Sequence, residues 1–225
     1  EHPIDHYPSL SAFFIRRLKP EARPIDTDGN AIVSPVDGRV LTVGTISEDG
    51  QALQIKGRRY RMSDLVPSSI TTADFANGSF AQLYLSPRDY HRIHHPVDAR
   101  IVSARFVPGR LFPVNEFSLN HFDGVLAKND RILVQLEHRE HTLFVALVGA
   151  LNVGRIGLTA GNYETNRGHR LTDIPIHEPV VTRGSEMGWF CMGSTVVLID
   201  PVGAIHWTVQ PGDLIQVGRT IGTWR

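Results

Sequence analysis

Apolar residues occur in short runs cut by Gly, Pro and Asp, and few stretches show a helical period. From residue 31 onward, residues 31–34, 38–43, 52–55, 80–85, 100–107, 131–136 and 142–148 read as strands, followed by 194–199 and 205–209. The most apolar run, residues 143–151, is far shorter than the roughly 20 residues that cross a bilayer and reads as a buried strand. The N-terminal segment differs. Ser9 is placed as a cap ahead of Leu10, Phe13, Phe14 and Leu18 at helical spacing, and Pro20 stops the run. Short helices are also expected near residues 63–66 and 71–76. The pattern predicts a mainly β fold with a few short helices (α+β). A single domain over residues 1–225, like a sandwich or barrel, is expected, since no composition break divides the chain.

Two segments echo each other. Ser34-Pro35-Val36-Asp37-Gly38 and Pro211-Gly212-Asp213-Leu214-Ile215 both set Asp beside Gly in a turn entering a strand. The second is similar to the strand turns of lipoyl and biotinyl carrier domains. No lysine sits in a suitable hairpin for attachment, so no carrier function follows.

Composition narrows the function classes. The 23 basic and 23 acidic residues balance, which argues against a nucleic-acid partner. Eleven histidines allow pH-sensitive chemistry. The one cysteine, Cys191, excludes a disulfide within the chain and reads as a small buried strand residue. Arg16, Arg17, Lys19 and Arg23 make the N-terminal segment basic, either as a solvated face or as a contact for an anionic surface. The chain begins at Glu1, so an anchor ahead of it would lie outside this sequence.

The chemistry centres on Gly193-Ser194. A serine hydroxyl can attack the carbonyl before it when the fold forces the geometry, and glycine admits backbone conformations closed to other residues. Serine is a weak nucleophile until a base takes its proton. His94 is the candidate base and Asp37 the carboxylate that would steady it. No Gly-x-Ser-x-Gly elbow points to an ordinary hydrolase. His91 and His94, three apart, and His138 and His141 lack a clear third ligand, so no metal is expected. His138 and His141 read as an exposed turn between strands.

Four motifs in order carry a resemblance. They are Phe13-Phe14-Ile15-Arg16-Arg17-Leu18-Lys19-Pro20-Glu21-Ala22-Arg23-Pro24-Ile25, then Ser34-Pro35-Val36-Asp37-Gly38, then residues 84–96 (Tyr84-Leu85-Ser86-Pro87-Arg88-Asp89-Tyr90-His91-Arg92-Ile93-His94-His95-Pro96), and last Glu186-Met187-Gly188 with Met192-Gly193-Ser194-Thr195. Together they resemble the phosphatidylserine decarboxylases over nearly the whole chain. Met192 stands where that family commonly has leucine, a change of similar volume.

The resemblance implies a lyase that makes phosphatidylethanolamine from phosphatidylserine. Ser194 would attack the Gly193 carbonyl, splitting the chain into 1–193 (β chain) and 194–225 (α chain), which remain associated. A pyruvoyl group from Ser194 would then be the cofactor, binding substrate as a Schiff base. Asp37, His94 and Ser194 take the family's triad places, His91 the decarboxylation and reprotonation step, Tyr84 a pocket wall and Phe112 an acyl-chain contact. The resemblance also implies a phospholipid substrate in a membrane, a peripheral location on its cytoplasmic face, preceding helices not in this chain, and a homodimer. Alternatives are a decarboxylase of another serine lipid, such as the archaetidylserine type, a non-catalytic carrier-like β module, and a serine hydrolase.

Overall fold

The computed structural model of the protein describes residues 6–55, 58–69, 71, 73–114, 116–151, 155–165, 170–191 and 194–225. Helix α1 (Leu10–Phe14) starts where expected. The Ser9 side chain accepts the Ala12 N–H at 3.1 Å and caps the first turn. Strands β1 (Ala31–Val33), β2 (Gly38–Thr45), β3 (Gln51–Ile55) and β4 (Arg58–Arg61) follow, then α2 (Met62–Leu65). Next come β5 (Ser79–Leu85), β6 (Arg92–His94) and β7 (Ala99–Val107), and helices α3 (Glu116–His121) and α4 (Val125–Lys128). The hairpin β8 (Arg131–His138) and β9 (His141–Val148) leads to four short strands, β10 (Ile156–Leu158), β11 (Tyr163–Glu164), β12 (Thr172–Asp173) and β13 (Val180–Val181). The chain closes with β14 (Glu186–Phe190), β15 (Ser194–Asp200), β16 (Ile205–Trp207), β17 (Leu214–Ile215) and β18 (Thr220–Trp224).

The fold is mainly β with short helices, as the sequence pattern predicts. The largest sheet has nine strands, in the order β12-β7-β8-β9-β15-β5-β2-β17 with β13 also on β7. It is an open path and not a closed barrel. Its central strand β15 is buried at every position, and β9 at all but its first two. Strands buried on both faces lose the in-out alternation, which is why they appear in sequence as unbroken apolar runs. A second sheet has four strands, β11-β10-β14-β6, and a third joins β1, β18 and β16.

The two echoing segments are neighbours in space. Arg39 of β2 stands opposite Leu214 of β17, and Gly38 opposite Ile215. The Val40 N–H donates to the Asp213 carbonyl, and the Gly212 N–H to the Val40 carbonyl.

Two expectations need correction. Among the described residues of 71–76 there is no helix. The Thr71 hydroxyl takes the Ala73 N–H and the Asp74 carboxylate takes the Ala76 N–H, local bonds that offer the backbone an alternative to a helical turn. Helices α3 and α4 carry no expectation, because with 6 and 4 residues a helical period cannot show. The His138–His141 turn does join two strands and exposes Arg139 and Glu140 at its tip, but the two histidines themselves are not exposed. His138 is buried with Nδ1 donating to the Asp98 carbonyl, and His141 stacks on Trp224 at 4.5 Å.

Below the sheet, buried Arg131 ties α2 and α4 together. Its guanidinium donates to the carbonyls of Leu65, Asp64, Ala127 and Asn129. Two of these helices end there, so the arginine satisfies carbonyls that a helix terminus leaves open. Buried Asn129 bridges to Phe112 and Gly149.

Candidate active site

Two of the chain's passages between the two larger sheets lie at adjacent places. Strand β5 belongs to the nine-stranded sheet and β6 to the four-stranded one; residues 86–91 connect them. Strand β14 of the four-stranded sheet leads to β15 of the nine-stranded one through residues 191–193. Because β5 pairs with β15 and β6 with β14, the two connections lie side by side. The Phe190 N–H donates to the His91 carbonyl across the step, and Ser194 stands opposite Leu85. Ser194 is thus the first residue of β15, where the chain changes sheet. Gly193, the other half of the expected cleavage site, and Met192 lie outside the described residues.

Ser194 is completely buried, and its hydroxyl has no hydrogen-bond partner among the described residues. The hydroxyl of Thr195 and Nε2 of His91 are buried and unpartnered in the same way. Native interiors satisfy nearly all buried polar atoms, so such groups gathered at one step call for an explanation. His91 packs edge-on against Phe14 of α1, with ring centroids 5.0 Å apart. Its Nδ1 donates to the Asp89 carbonyl at 2.8 Å, which leaves Nε2 as a lone pair. Burial pushes its pKa below the usual histidine range and keeps the ring neutral.

His94 is a second neutral base. Its Nδ1 donates to the Gly184 carbonyl at 2.7 Å, so its Nε2 accepts the Tyr90 hydroxyl at 3.1 Å. Burial lowers its pKa, against the opposing pull of the Gly184 carbonyl, Glu186 and Asp37. Burial also pushes the Tyr90 phenol up to about 12, so it remains a donor near neutral pH. His95 is buried too, and burial followed by its neighbour His94 takes its pKa down to about 4.

Asp37 sits in the turn between β1 and β2. The Ser34 hydroxyl donates to the Val36 carbonyl, and the His94 N–H donates to the Pro35 carbonyl, which fixes the turn against β6. Gly38 follows because the backbone passes the Tyr84 carbonyl closely; a Cβ there would lie 2.1 Å from that oxygen. The Asp37 carboxylate accepts Nε and Nη2 of Arg23 and the Val217 N–H. Asp37 and His94 therefore share a neighbourhood without a hydrogen bond between them, each held by other partners. A pocket of 160 Å³ lies beside them, lined by Arg23, Ile25, Tyr90, His94, Gly184 and Val217 among others. Ser194 and His91 lie instead at the ends of the two adjacent connections, Ser194 opposite Leu85 and the His91 carbonyl bonded to the Phe190 N–H.

Tyr84, on β5, lines a separate groove with Arg39 and Arg88. Phe112 lies elsewhere, stacked on the exposed Phe122 at 6.3 Å with Arg110 over its other contact face at 5.9 Å. Cys191 is half-buried at a bend just past β14 and not in a strand; burial raises its thiol pKa.

Several residues here escaped the sequence reading. Arg23 holds Asp37, Tyr90 holds His94, and Arg92 pairs with Glu186 at 2.6 Å while donating to the Ile15 carbonyl. Arg17 approaches the same Glu186 at 3.7 Å, and Arg16 is buried over the Phe13 ring. The basic N-terminal segment thus engages part of its charge within the fold, Arg23 on Asp37 and Arg17 at the edge of Glu186. The signal was present: Arg23 and Tyr90 both fall inside the ordered motifs.

The sequence profile described as phosphatidylserine decarboxylase matches residues 10–223. A phosphatidylserine decarboxylase proenzyme of Brevibacillus brevis is 39% identical, over 99% of this chain and 81% of its own length. Proteins of the same name from Myxococcus xanthus and Legionella pneumophila (strain Corby) are 36% and 38% identical, over 99% and 95% of this chain and 80% and 77% of theirs.

Proposed function

The chain belongs to the phosphatidylserine decarboxylase family, and from that premise we propose that it converts phosphatidylserine to phosphatidylethanolamine using a pyruvoyl group made from its own Ser194. The observation that carries this reading is the buried, unpartnered Ser194 hydroxyl at the first position of β15. A structural serine would spend its hydroxyl on a partner; one kept free in a dry step is available to react.

In the proposed maturation, the Ser194 oxygen bonds to the Gly193 carbonyl carbon and its proton passes to a neutral histidine, His94 by the family pattern. The C–N bond breaks as the residue 194 nitrogen takes a proton, which leaves an ester. Loss of the Cα proton and cleavage of the Cβ–O bond release the Gly193 carboxylate and leave dehydroalanine. Water then replaces the nitrogen, which departs as ammonia, and residue 194 ends as a pyruvoyl group. Asp37, ion-paired with Arg23, supplies the negative charge that favours protonated His94 during proton transfer.

The unpartnered atoms at the step fit this group. The Ser194 hydroxyl is the one consumed in making it, and His91 Nε2 and the Thr195 hydroxyl, also buried and unpartnered among the described residues, are left over for it. The group's ketone supplies an electron sink for loss of carbon dioxide from a serine amine condensed with it. His91, neutral and buried against Phe14, is suited to hold the proton that returns to carbon. A dry step keeps water from competing.

The same reading places the protein on the surface of a membrane, where its lipid resides. The exposed Phe122 and Leu151 near Phe112, with Arg110 and Lys128 beside them, support contact with lipid on that side. No helix among the described residues is long and apolar enough to cross a membrane.

Intact-mass measurement of the purified protein tests the proposal. The expected result is two fragments, 1–193 and 194–225, the second blocked to N-terminal sequencing. Ser194→Ala should give one chain and no decarboxylation, and His94→Ala and Asp37→Ala should block or slow the split. A single unsplit chain that turns over phosphatidylserine would sink the pyruvoyl reading.

A further inference from the structure

A row of side chains crosses the edge of the nine-stranded sheet and ends beside Ser194. Leu214 stands opposite Arg39, Arg39 opposite Tyr84, and Tyr84 opposite Thr195. Residues directly opposite in antiparallel strands share a face. With neighbouring strands about 4.8 Å apart, the row spans roughly 14 Å. On that face lies the 190 Å³ groove, whose walls include Arg39, Leu41, Tyr84, Arg88, Val114 and Leu214.

The groove is graded in polarity. Its outer end is apolar, with Leu214 74% exposed. Arg39 and Arg88 are exposed, and neither makes an ion pair or hydrogen bond among the described residues. By contrast, Arg23, Arg92 and Arg131 all have partners. The one acid lining the groove, Asp89, accepts the Ser86 N–H at 2.7 Å and is bonded to neither arginine.

We propose that this groove binds the phosphodiester of the substrate lipid. Arg39 and Arg88 hold the phosphate, the serine end points along the row toward Tyr84 and Thr195, and the glycerol and first acyl carbons lie against Leu41, Val114 and Leu214. Guanidinium forks match phosphate oxygens in both geometry and charge. Arg39 is two strand spacings from Thr195, roughly 10 Å, a distance its side chain and the few bonds from phosphate to amine can bridge together. Ser194, opposite Leu85, points to the other face. That does not separate it from the groove, because the ketone carbon derived from it is the residue's own Cα, which belongs to the backbone and to neither face. The identity of the lipid rests on the decarboxylase reading; the anion site does not.

Calorimetric titration of the processed protein with dihexanoyl phosphatidylethanolamine tests this. In Arg39→Ala/Arg88→Ala the Kd should rise about thirtyfold or more. The KM for dihexanoyl phosphatidylserine should rise similarly, with kcat within about twofold. Arg39→Lys in the Arg88→Ala background should recover part of the loss. Complete self-cleavage of the double variant by intact mass reports that it folds. Unchanged Kd and KM overturn the proposal. Inorganic phosphate binding as tightly as the lipid would overturn the lipid assignment. A wild-type protein that binds the lipid through these arginines but does not decarboxylate would support the site and count against the reaction.

Discussion

Two buried polar clusters in this protein are built on opposite terms. Around Arg131 every guanidinium nitrogen finds an acceptor: the group meets four backbone carbonyls, and Asn129 bridges two further segments. At the step between the two larger sheets, the Ser194 hydroxyl, the Thr195 hydroxyl and His91 Nε2 are as buried but have no partner among the described residues. Desolvating a polar atom costs about 1–3 kcal/mol when nothing replaces water. The first cluster offsets that cost with bonds and holds two helices against the sheet. The second leaves it uncompensated, which suits groups held for a reaction. Burial alone does not distinguish the two roles; unsatisfied valence does.

The largest effect expected from breaking this contrast is at Arg131. Arg131→Ala leaves four carbonyls open and should cost about 3–5 kcal/mol in chemical denaturation. Ser194→Ala, equally buried, should change stability by no more than about 1 kcal/mol in either direction, because no bond is lost. A loss at Ser194 as large as at Arg131 would mean that the serine is structural.

His91 sharpens the comparison within the second cluster. His91→Ala should leave the chain split while slowing decarboxylation about a hundredfold or more. Intact mass and product assay separate the two reactions, and unchanged turnover would remove His91 from the proton step.

A further effect is in acid. His91, His94 and His95 all have pKa values lowered by burial, His95 to about 4. Their unfolded value is 6.5, so below it the unfolded chain binds more protons than the folded one. Stability should therefore be full above pH 6.5 and fall as the pH drops toward 4. The His95 share at the low end is roughly 3 kcal/mol. His95→Gln should flatten the fall of melting temperature across that window; an unaltered slope would place the acid sensitivity elsewhere.

Much of this was legible before the fold was known. Strand positions followed from short apolar runs and their Gly and Pro boundaries, and Ser9 marked the start of α1. The four ordered motifs singled out Asp37, His91, His94 and Ser194. The local bonds of Thr71 and Asp74 defeated the expected helix at 71–76, and helices as short as α3 and α4 carry too little period to be seen.

By itself, then, the sequence determined the β character of the chain, the family and the residues proposed to carry chemistry, because strand alternation and motif spacing are local properties. Tertiary structure alone decided how those residues are held. Whether Asp37 bonds to His94 or to Arg23, whether Tyr90 takes the His94 lone pair, and whether a row runs from Leu214 to Thr195 depend on which strands become neighbours. Those neighbours come from distant parts of the chain, and only packing and strand register bring their atoms within bonding distance.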